Sequence, residues 1–258
     1  LYRVGSMYLC FNENLLYHGC LPMNEDGSFA ELAIDGKMYA GRDLMDILDQ
    51  KSRFAWVNRK KGGEDQRKAV DLMWYMWCGK KSPLFGRDRM TTFERCLIED
   101  KSAHTEPKNA YYRHTADPAV CDRILREFGL EGEHAHIING HVPVKLGQGE
   151  SPIRAGGRLL VIDGGLSRAY QPVTGIAGYT LIFTSHELNL VAHQPFESTA
   201  AAISAEQDIH SVQSLVKRMP HRLLIDDTDD GEDLRCRIDD LMRLITAYRK
   251  GVIKEARG

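Results

Sequence analysis

Short apolar runs separated by turn residues occupy two parts of the chain, residues 6–39 and 134–196. Runs of this kind are typical of buried strands joined by hairpins or longer connections. The dipeptide Asp35-Gly36 predicts a two-residue hairpin turn, for which Asp-Gly is a favoured sequence. Individual strands are predicted at residues 8–11, 15–17, 136–139, 159–162, 180–184 and 188–192.

Between these two parts, residues 41–130 carry apolar residues at helical spacing. Val70, Met73, Trp74 and Trp77 repeat at i, i+3, i+4 and i+7, which predicts an amphipathic helix with this stripe in the core. Asp117-Pro118 has the order of a helix cap followed by the first helical residue. We therefore expect an α/β fold in which a helical insertion of about residues 41–130 separates two sets of strands.

From residue 198 onward the pattern predicts a helical C-terminal region. Residues 198–219 are predicted to be helical and residues 222–226 to form a short strand, while the acidic residues 226–231 suit the start of a last helix. That helix carries apolar residues at spacings of 4, 3, 4 and 3, a heptad seam: Leu234, Ile238, Leu241, Ile245 and Tyr248. The seam must be covered either by its own domain, the commoner outcome, or by a partner subunit in a homo-oligomer.

Composition excludes several classes of protein. The chain has 258 residues, 43% of them hydrophobic, and a formal net charge of −2, so neither nucleic acid nor an acidic membrane surface is an expected partner. No apolar run approaches the ~20 residues that cross a bilayer. The six cysteines are scattered without a C-x-x-C pair, which favours reduced thiols and a cytoplasmic location.

Candidate chemistry lies where two predicted strands end. His18 is followed by Gly19, and His141 is preceded by Gly140. Ligands of open α/β sheets collect at the carboxyl ends of strands, and neutral imidazole binds transition metals there when other ligands converge. A single histidine of this kind is more often a polar loop residue, but two matched strand ends predict that the rings lie within about 10 Å of each other.

The chain resembles the class 3 fructose-1,6-bisphosphatases, which belong to the calcineurin-like superfamily of binuclear metallophosphatases. The similarity extends over nearly the whole chain, and its most specific segment is LLYHGCLPMNEDG at residues 15–27. The other resembling segments are residues 5–8, 106–109, 138–144 and 191–196.

This resemblance implies a fold, an activity and a set of ligands. Residues 1–197 are expected to form the C-terminal portion of a two-sheet metallophosphatase sandwich, followed by the helical region 198–258. The implied activity is hydrolysis of the 1-phosphate of fructose 1,6-bisphosphate by two divalent metals, with manganese as the expected ion. His18 and His141 match the family's metal-ligating histidines.

The chain also departs from the superfamily pattern. The superfamily's earlier motifs contain Gly-Asp and Asn-His dipeptides, and this sequence has neither. The one Asp-x-His, at Asp208-Ile209-His210, comes too late and is interpreted as surface. We therefore expect a C-terminal fragment that is inactive by itself. Two alternatives stay open: a metallophosphatase acting on another phosphate ester, and a non-catalytic binding or assembly module.

Phosphate contacts are expected from basic residues in loops. Arg87 and Arg89 lie in a basic loop, and arginine's fork suits bidentate phosphate recognition, although a solvated loop is as good an interpretation. Lys108 lies in a polar loop and Lys145 in a glycine-rich loop. Each of them either contacts phosphate or is a solvated loop residue. His186 follows a predicted strand, and in the wider superfamily the loop at this position borders the metal site.

Overall fold

A computed structural model of the chain describes residues 2, 4–165, 167, 171–176, 178–196, 198–206 and 211–253. The strands are β1 (Tyr8–Phe11), β2 (Asn14–Tyr17), β3 (Leu32–Ile34), β4 (Lys37–Tyr39), β5 (His136–Asn139), β6 (Ile153–Arg154), β7 (Leu159–Val161), β8 (Gly178–Phe183), β9 (Glu187–His193) and β10 (Ser211–Arg218). The helices are α1 (Gly41–Val57), α2 (Glu64–Cys78), α3 (Thr92–Leu97), α4 (Tyr111–His114), α5 (Pro118–Glu127), α6 (Gln171–Thr174), α7 (Thr199–Ser204) and α8 (Asp229–Arg249).

A five-stranded mixed sheet carries the candidate site. Its strand order is β1-β2-β5-β7-β6, and the three inner strands β2, β5 and β7 are mutually parallel. Leu15 pairs with Ile137, and Ile138 pairs with Leu160. These apolar residues are buried because helices and connections cover the parallel strands, as parallel sheets require. The fold is thus α/β, as predicted.

Two hairpins follow the turn residues that predicted them. In the β1–β2 turn Asn12 and Glu13 have φ of 48° and 60°, and in the β3–β4 turn Asp35 and Gly36 have φ of 49° and 78°. Positive φ at both central residues is the two-residue turn whose twist matches paired strands. The β3–β4 hairpin predicted at Asp35-Gly36 is confirmed.

Helices α1–α5 occupy the sequence between β4 and β5, as the helical spacing predicted. Asp117 caps α5 by accepting a hydrogen bond from the Ala119 amide at 2.9 Å, and Pro118 is the first helical residue. Cys121, Ile124 and Leu125 of α5 then pack in the main core with the strands of the sheet. The same core includes Leu15 and Ile137, which lie on β2 and β5, the strands that lead to the candidate site.

The predicted buried stripe of α2 is wrong. Trp74 and Trp77 are 65% and 57% exposed, whereas Ala69 and Met76 are buried. The helix has apolar residues on two neighbouring faces, each with the spacing i, i+3, i+4, i+7, and α1 packs against the face that begins at Ala69. Periodicity identified the helix correctly, but it does not determine which of two adjacent apolar faces is covered.

The C-terminal region is not wholly helical, and two predictions fail here. Residues 198–219 contain a short helix, α7, but residues 211–218 form strand β10. β10 joins the sheet β10-β9-β8, so pairing with an existing strand outweighs its weak local pattern. Residues 222–226 form no strand, and Ile225–Asp227 is a 3-10 helix. Residues 208–210 lie outside the described part of the chain.

The chain divides into two compact units, Leu1–Leu181 with Leu190–Ser214 and Ile182–Asn189 with Leu215–Gly258. In the second unit Thr228 caps α8 by accepting from the Gly231 amide at 3.2 Å, and the acidic first turn predicted for this helix is present. The side chains of the heptad seam are 44–58% exposed. Among the residues described, no helix combines the length and apolarity needed to cross a membrane.

Candidate functional site

The three parallel strands end at one edge of the sheet, and a polar side chain follows each of them. His18 comes directly after β2, His141 comes two residues after β5, and Asp163 comes two residues after β7. The pairing of β2 and β5 continues past their ends, because the Gly140 amide donates to the His18 carbonyl at 2.9 Å. This hydrogen bond brings the His-Gly and Gly-His segments together across 123 positions of sequence.

The two histidine rings are adjacent. His18 Nε2 lies 3.0 Å from His141 Nδ1, and the ring centroids are 4.8 Å apart with an angle of 62° between planes. The predicted proximity of the two rings is therefore confirmed. One of the two facing nitrogens carries the proton of this hydrogen bond, while the other presents its lone pair.

A backbone carbonyl fixes the orientation of His141. Its Nε2 lies 2.8 Å from the Phe85 carbonyl oxygen, which only accepts, so Nε2 carries a proton and Nδ1 presents its lone pair towards His18. Metal-binding histidines commonly use the second ring nitrogen in this way. His141 also adopts a φ of 64°, a left-handed conformation uncommon outside glycine. Such backbone strain is often found at functional sites.

The segment that supplies the Phe85 carbonyl lies against Gly19. A Cβ on Gly19 would be 2.6 Å from the Pro83 carbonyl oxygen, and the Cys20 amide donates to that oxygen at 3.0 Å. The Ser82 hydroxyl accepts from the Phe85 amide at 3.3 Å, which shapes the turn. Gly19 thus permits the close approach that places the Phe85 carbonyl next to His141.

A buried hydrogen-bond network supports the strand ends from below. Asn139 Nδ2 donates to the Gly19 carbonyl at 3.1 Å and to the Tyr111 hydroxyl at 2.8 Å. The Tyr111 and Tyr17 hydroxyls are 2.7 Å apart. Because each of these side chains is at least nine-tenths buried, the network is held rigidly and ties β2, β5 and α4 together.

Electrostatics favour the neutral form of His18. Partial burial lowers the pKa of its imidazole, and His141 lowers it further, while the carboxylate of Asp163 acts in the opposite direction. A neutral ring keeps a lone pair available for a metal. Asp163 was not predicted to be a neighbour of the pair. Its signal was present, since a buried strand runs directly into Asp163-Gly164-Gly165 at the edge where ligands collect.

The histidine pair fits two adjacent positions around one metal ion. At metal–nitrogen distances of about 2.1 Å, two nitrogens 3.0 Å apart subtend an angle of roughly 90°. However, no group of three or more His, Cys, Asp or Glu residues able to hold a metal occurs in the part of the chain that the structure describes. Two imidazoles are an incomplete ligand set for a metal that performs catalysis.

The five predicted phosphate contacts fall in different places. Arg87 and Lys108 are opposite each other in an isolated antiparallel bridge, close to the segment that holds His141. Lys145 directly follows the buried Val144 and is itself half-buried, and Arg89 is exposed. His186 belongs to the second unit, and its Nδ1 lies 2.9 Å from the Ser185 hydroxyl. Phosphate binding at these residues stays a prediction.

A cavity of about 700 Å³ opens beside the histidine pair. Most of its wall is apolar and includes Met7, Met73, Met76 and Trp77, while Arg53 supplies its basic group. The basic residues predicted to contact phosphate are not in this wall. An apolar wall does not suit a sugar phosphate, so the cavity is not assigned to substrate.

Fold and site define an α/β protein with a pair of candidate metal ligands at the carboxyl edge of a parallel sheet. Comparison with known families gives a match over residues 1–250 to the family model described as Firmicute fructose-1,6-bisphosphatase. The chain therefore belongs to the Firmicute fructose-1,6-bisphosphatase family.

Similar proteins carry the same family name. The chain is 54% identical over 255 residues to a class 3 fructose-1,6-bisphosphatase of Clostridium beijerinckii, and 52% identical over 255 residues to that of Bacteroides fragilis. These alignments cover 99% of this chain but only 38% of each relative, and the alignment with the Porphyromonas gingivalis protein, at 53% identity, covers 99% and 39%. No solved structure matches the chain.

Proposed function

We propose that the chain contributes to hydrolysis of the 1-phosphate of fructose 1,6-bisphosphate, as a part of the metallophosphatase unit of its family. The observation that carries this proposal is the His18–His141 pair, whose facing nitrogens are 3.0 Å apart at the ends of two parallel strands. The relatives named above supply the substrate class, since they are named fructose-1,6-bisphosphatases.

In this proposal His18 Nε2 and His141 Nδ1 hold a divalent metal, and manganese is the proposed ion. A bound divalent metal in such enzymes polarises the phosphate and lowers the pKa of a bound water. The chain's own residues orient the ligands: the Phe85 carbonyl fixes the His141 tautomer, and Asn139 fixes the ends of both strands. We further propose that residues 1–197 form part of a two-sheet sandwich and that the protein is cytoplasmic, which agrees with six free cysteines.

A chimeric enzyme tests the proposed function. This chain replaces the matching 255-residue segment of the Clostridium beijerinckii relative, with which it is 54% identical. We expect manganese-dependent release of phosphate from fructose 1,6-bisphosphate by the chimera. The chain assayed alone is expected to be inactive, because two imidazoles without a carboxylate that converges with them on one metal make a weak site.

Two results would redirect the proposal. Equal turnover of aryl phosphates and of the sugar bisphosphate indicates a phosphatase of another specificity. A folded chimera that hydrolyses neither, when the parent relative is active under the same conditions, indicates that the segment serves as a binding or assembly module.

The exposed seam of α8 supports a proposal of self-association. Ile238 and Ile245 occupy a positions and Leu234 and Leu241 occupy d positions, the arrangement that favours two-stranded parallel coiled coils. Leu241 is 58% exposed. Leaving such a stripe in water is unfavourable, so a second copy of the helix is the proposed cover.

The variant Leu241→Asp tests this seam. We expect a smaller species by sedimentation, with the unfolding free energy of the monomer changed by less than about 1 kcal/mol, since exposed positions tolerate substitution. Thr246→Asp introduces the same charge outside the seam and should leave the size unchanged. A wild-type chain that sediments as a monomer at high concentration contradicts the proposal.

A further inference from the structure

Two cations face each other in the bridge between residues 87 and 108. Arg87 pairs with Lys108 in an antiparallel bridge, and the flanking backbone is hydrogen-bonded from Asp88 to Pro107 at 2.9 Å and from Asn109 to Gly86 at 3.0 Å. Like charges directly opposite each other in such a pair are destabilising. The two cations nevertheless lie opposite each other in this fold. An anion bound between their side chains would reduce the repulsion between them.

Only one of these cations is compensated by a carboxylate. Arg87 Nη1 lies 3.7 Å from a Glu106 carboxylate oxygen and donates to the Glu106 carbonyl at 3.2 Å. Glu106 is shared, because it also accepts from Thr91 and lies 3.8 Å from Arg95. No ion pair of Lys108 is present among the described residues, and its ammonium instead lies 5.9 Å from the centre of the Tyr112 ring.

The Glu150 carboxylate contacts the Arg154 guanidinium and the backbone of Lys145. It accepts from the Lys145 amide at 3.1 Å and from Arg154 Nη2 at 3.4 Å. The Glu150 carboxylate is therefore used by the backbone and by Arg154, while the Lys145 ammonium makes no ion pair within the described residues. Burial raises the pKa of Tyr179, and the nearby Arg154 guanidinium lowers it. The buried Tyr179 hydroxyl has no hydrogen-bond partner among the described residues.

Lys108 interacts electrostatically both with its bridge partner Arg87 and with the charged residues around Glu150. Burial lowers the pKa of the Lys108 ammonium, against the carboxylate of Glu150, which raises it. The other three cations lower it further, so each of them lies near enough to act on Lys108. We call the four the cationic cluster: Arg87, Lys108, Lys145 and Arg154. With Glu106 and Glu150 as its carboxylates, the cluster keeps an excess of two positive charges.

The cationic cluster is attached to the segments that form the histidine site. Arg87 follows Phe85, whose carbonyl accepts from His141, by two residues. Lys145 follows Val144, whose amide donates to the Asp163 carbonyl at 2.8 Å. Two residues of extended chain span at most about 7 Å, so the Arg87 backbone is close to the Phe85 carbonyl that orients His141. Lys145 is attached to the same sheet edge through the hydrogen bond of Val144 to Asp163.

We propose that the cationic cluster is a phosphate-binding subsite distinct from the histidine pair. Its guanidinium groups offer paired N–H donors and its ammonium groups offer point charges, the two forms in which proteins bind phosphate. If the proposed function holds, this subsite binds the phosphate of the sugar bisphosphate that is not hydrolysed. Arg89, in the same loop as Arg87, is exposed and forms no ion pair with Glu106 or Glu150 among the described residues, so it is left out.

Binding of inorganic phosphate to the metal-free 258-residue chain tests the subsite directly. Titration calorimetry at low ionic strength should give saturable binding, weakened about 10- to 100-fold by Lys108→Gln and by Arg154→Gln, the effect of losing one charge-assisted hydrogen bond. Lys108 is exposed as a whole residue although its ammonium is partly desolvated, so the chain should fold with glutamine there. Arg89→Gln removes an exposed charge from the same loop and should leave phosphate binding unchanged.

The outcomes separate this proposal from the proposed function. His18→Ala should leave phosphate binding by the metal-free chain intact. In the chimera, Lys108→Gln should raise the KM for fructose 1,6-bisphosphate about ten-fold or more, with little change in the KM for an aryl monophosphate. Absence of phosphate binding by the wild-type chain, or equal weakening by Arg89→Gln and Lys108→Gln, overturns the subsite even if the chimera is active. If the chimera is inactive, phosphate titration of the metal-free chain still decides whether the cationic cluster binds phosphate.

Discussion

Replacing His141 with asparagine should lower fructose-bisphosphatase turnover by the chimera more than about 100-fold, since residues that only support a metal ligand already cost 10- to 100-fold when mutated. Asparagine is the sharper choice because His141 has a φ of 64°, a conformation that asparagine adopts more readily than alanine. The variant therefore keeps the turn and loses the imidazole. The measurement is kcat/KM with manganese in excess.

The control for this variant is another histidine. His221→Asn alters an exposed ring that belongs to the second unit, and turnover should remain within about two-fold of the parent, as for surface substitutions generally. Thermal unfolding of both variants checks that the fold is retained. A stable His141→Asn chimera that keeps more than a tenth of the parent turnover would show that the histidine pair does not hold the catalytic metal.

The location of the histidine pair could be predicted from sequence because it depends on local rules. Strands that end in His-Gly and Gly-His place both rings at one sheet edge if the strands are parallel neighbours, and β2 and β5 are such neighbours. The same rule applied to Asp163 would have identified the third polar residue at this edge. The Phe85 carbonyl had no sequence signal, because a backbone contact across 56 positions depends on how a loop packs.

The fold errors share one physical cause. Trp74 and Trp77 form a sound helical stripe, yet the neighbouring face with Ala69 and Met76 is the one that is covered. β10 has no clear strand pattern, and its pairing in the second sheet gives it the extended form. In each case the choice was between two locally acceptable structures, and it was made by tertiary contacts that one sequence does not reveal.

The convergence of Lys108 with Lys145 and Arg154 also lay beyond the sequence. The segments are separated by more than thirty positions, and each loop by itself is an ordinary basic surface loop. The bridge between Arg87 and Lys108 pairs two of the charges, and the turn around Glu150 holds Arg154 next to the Lys145 backbone. The predicted set of phosphate contacts therefore included three of the four residues and omitted Arg154.

The glycines of the two histidine motifs should respond differently to alanine. A Cβ on Gly19 would lie 2.6 Å from the Pro83 carbonyl, whereas a Cβ on Gly140 would meet Asp163 at 3.5 Å, an ordinary contact. Neither glycine has a positive φ, so the difference is one of space and not of backbone conformation. Gly19→Ala must push the segment at Pro83 away, and with it the Phe85 carbonyl that orients His141.

We therefore expect Gly19→Ala to cost about 1–3 kcal/mol of unfolding free energy in the chain, the usual effect of overpacking a filled site. In the chimera it should lower turnover by about 100-fold, since displacing a positioned group by 1 Å can do so. Gly147→Ala is the matched control, because a Cβ there meets nothing within 4 Å, and Gly140→Ala should stay within about 1 kcal/mol of wild type. Equal effects of Gly19→Ala and Gly140→Ala would mean that the close approach of Pro83 to Gly19 does not position His141.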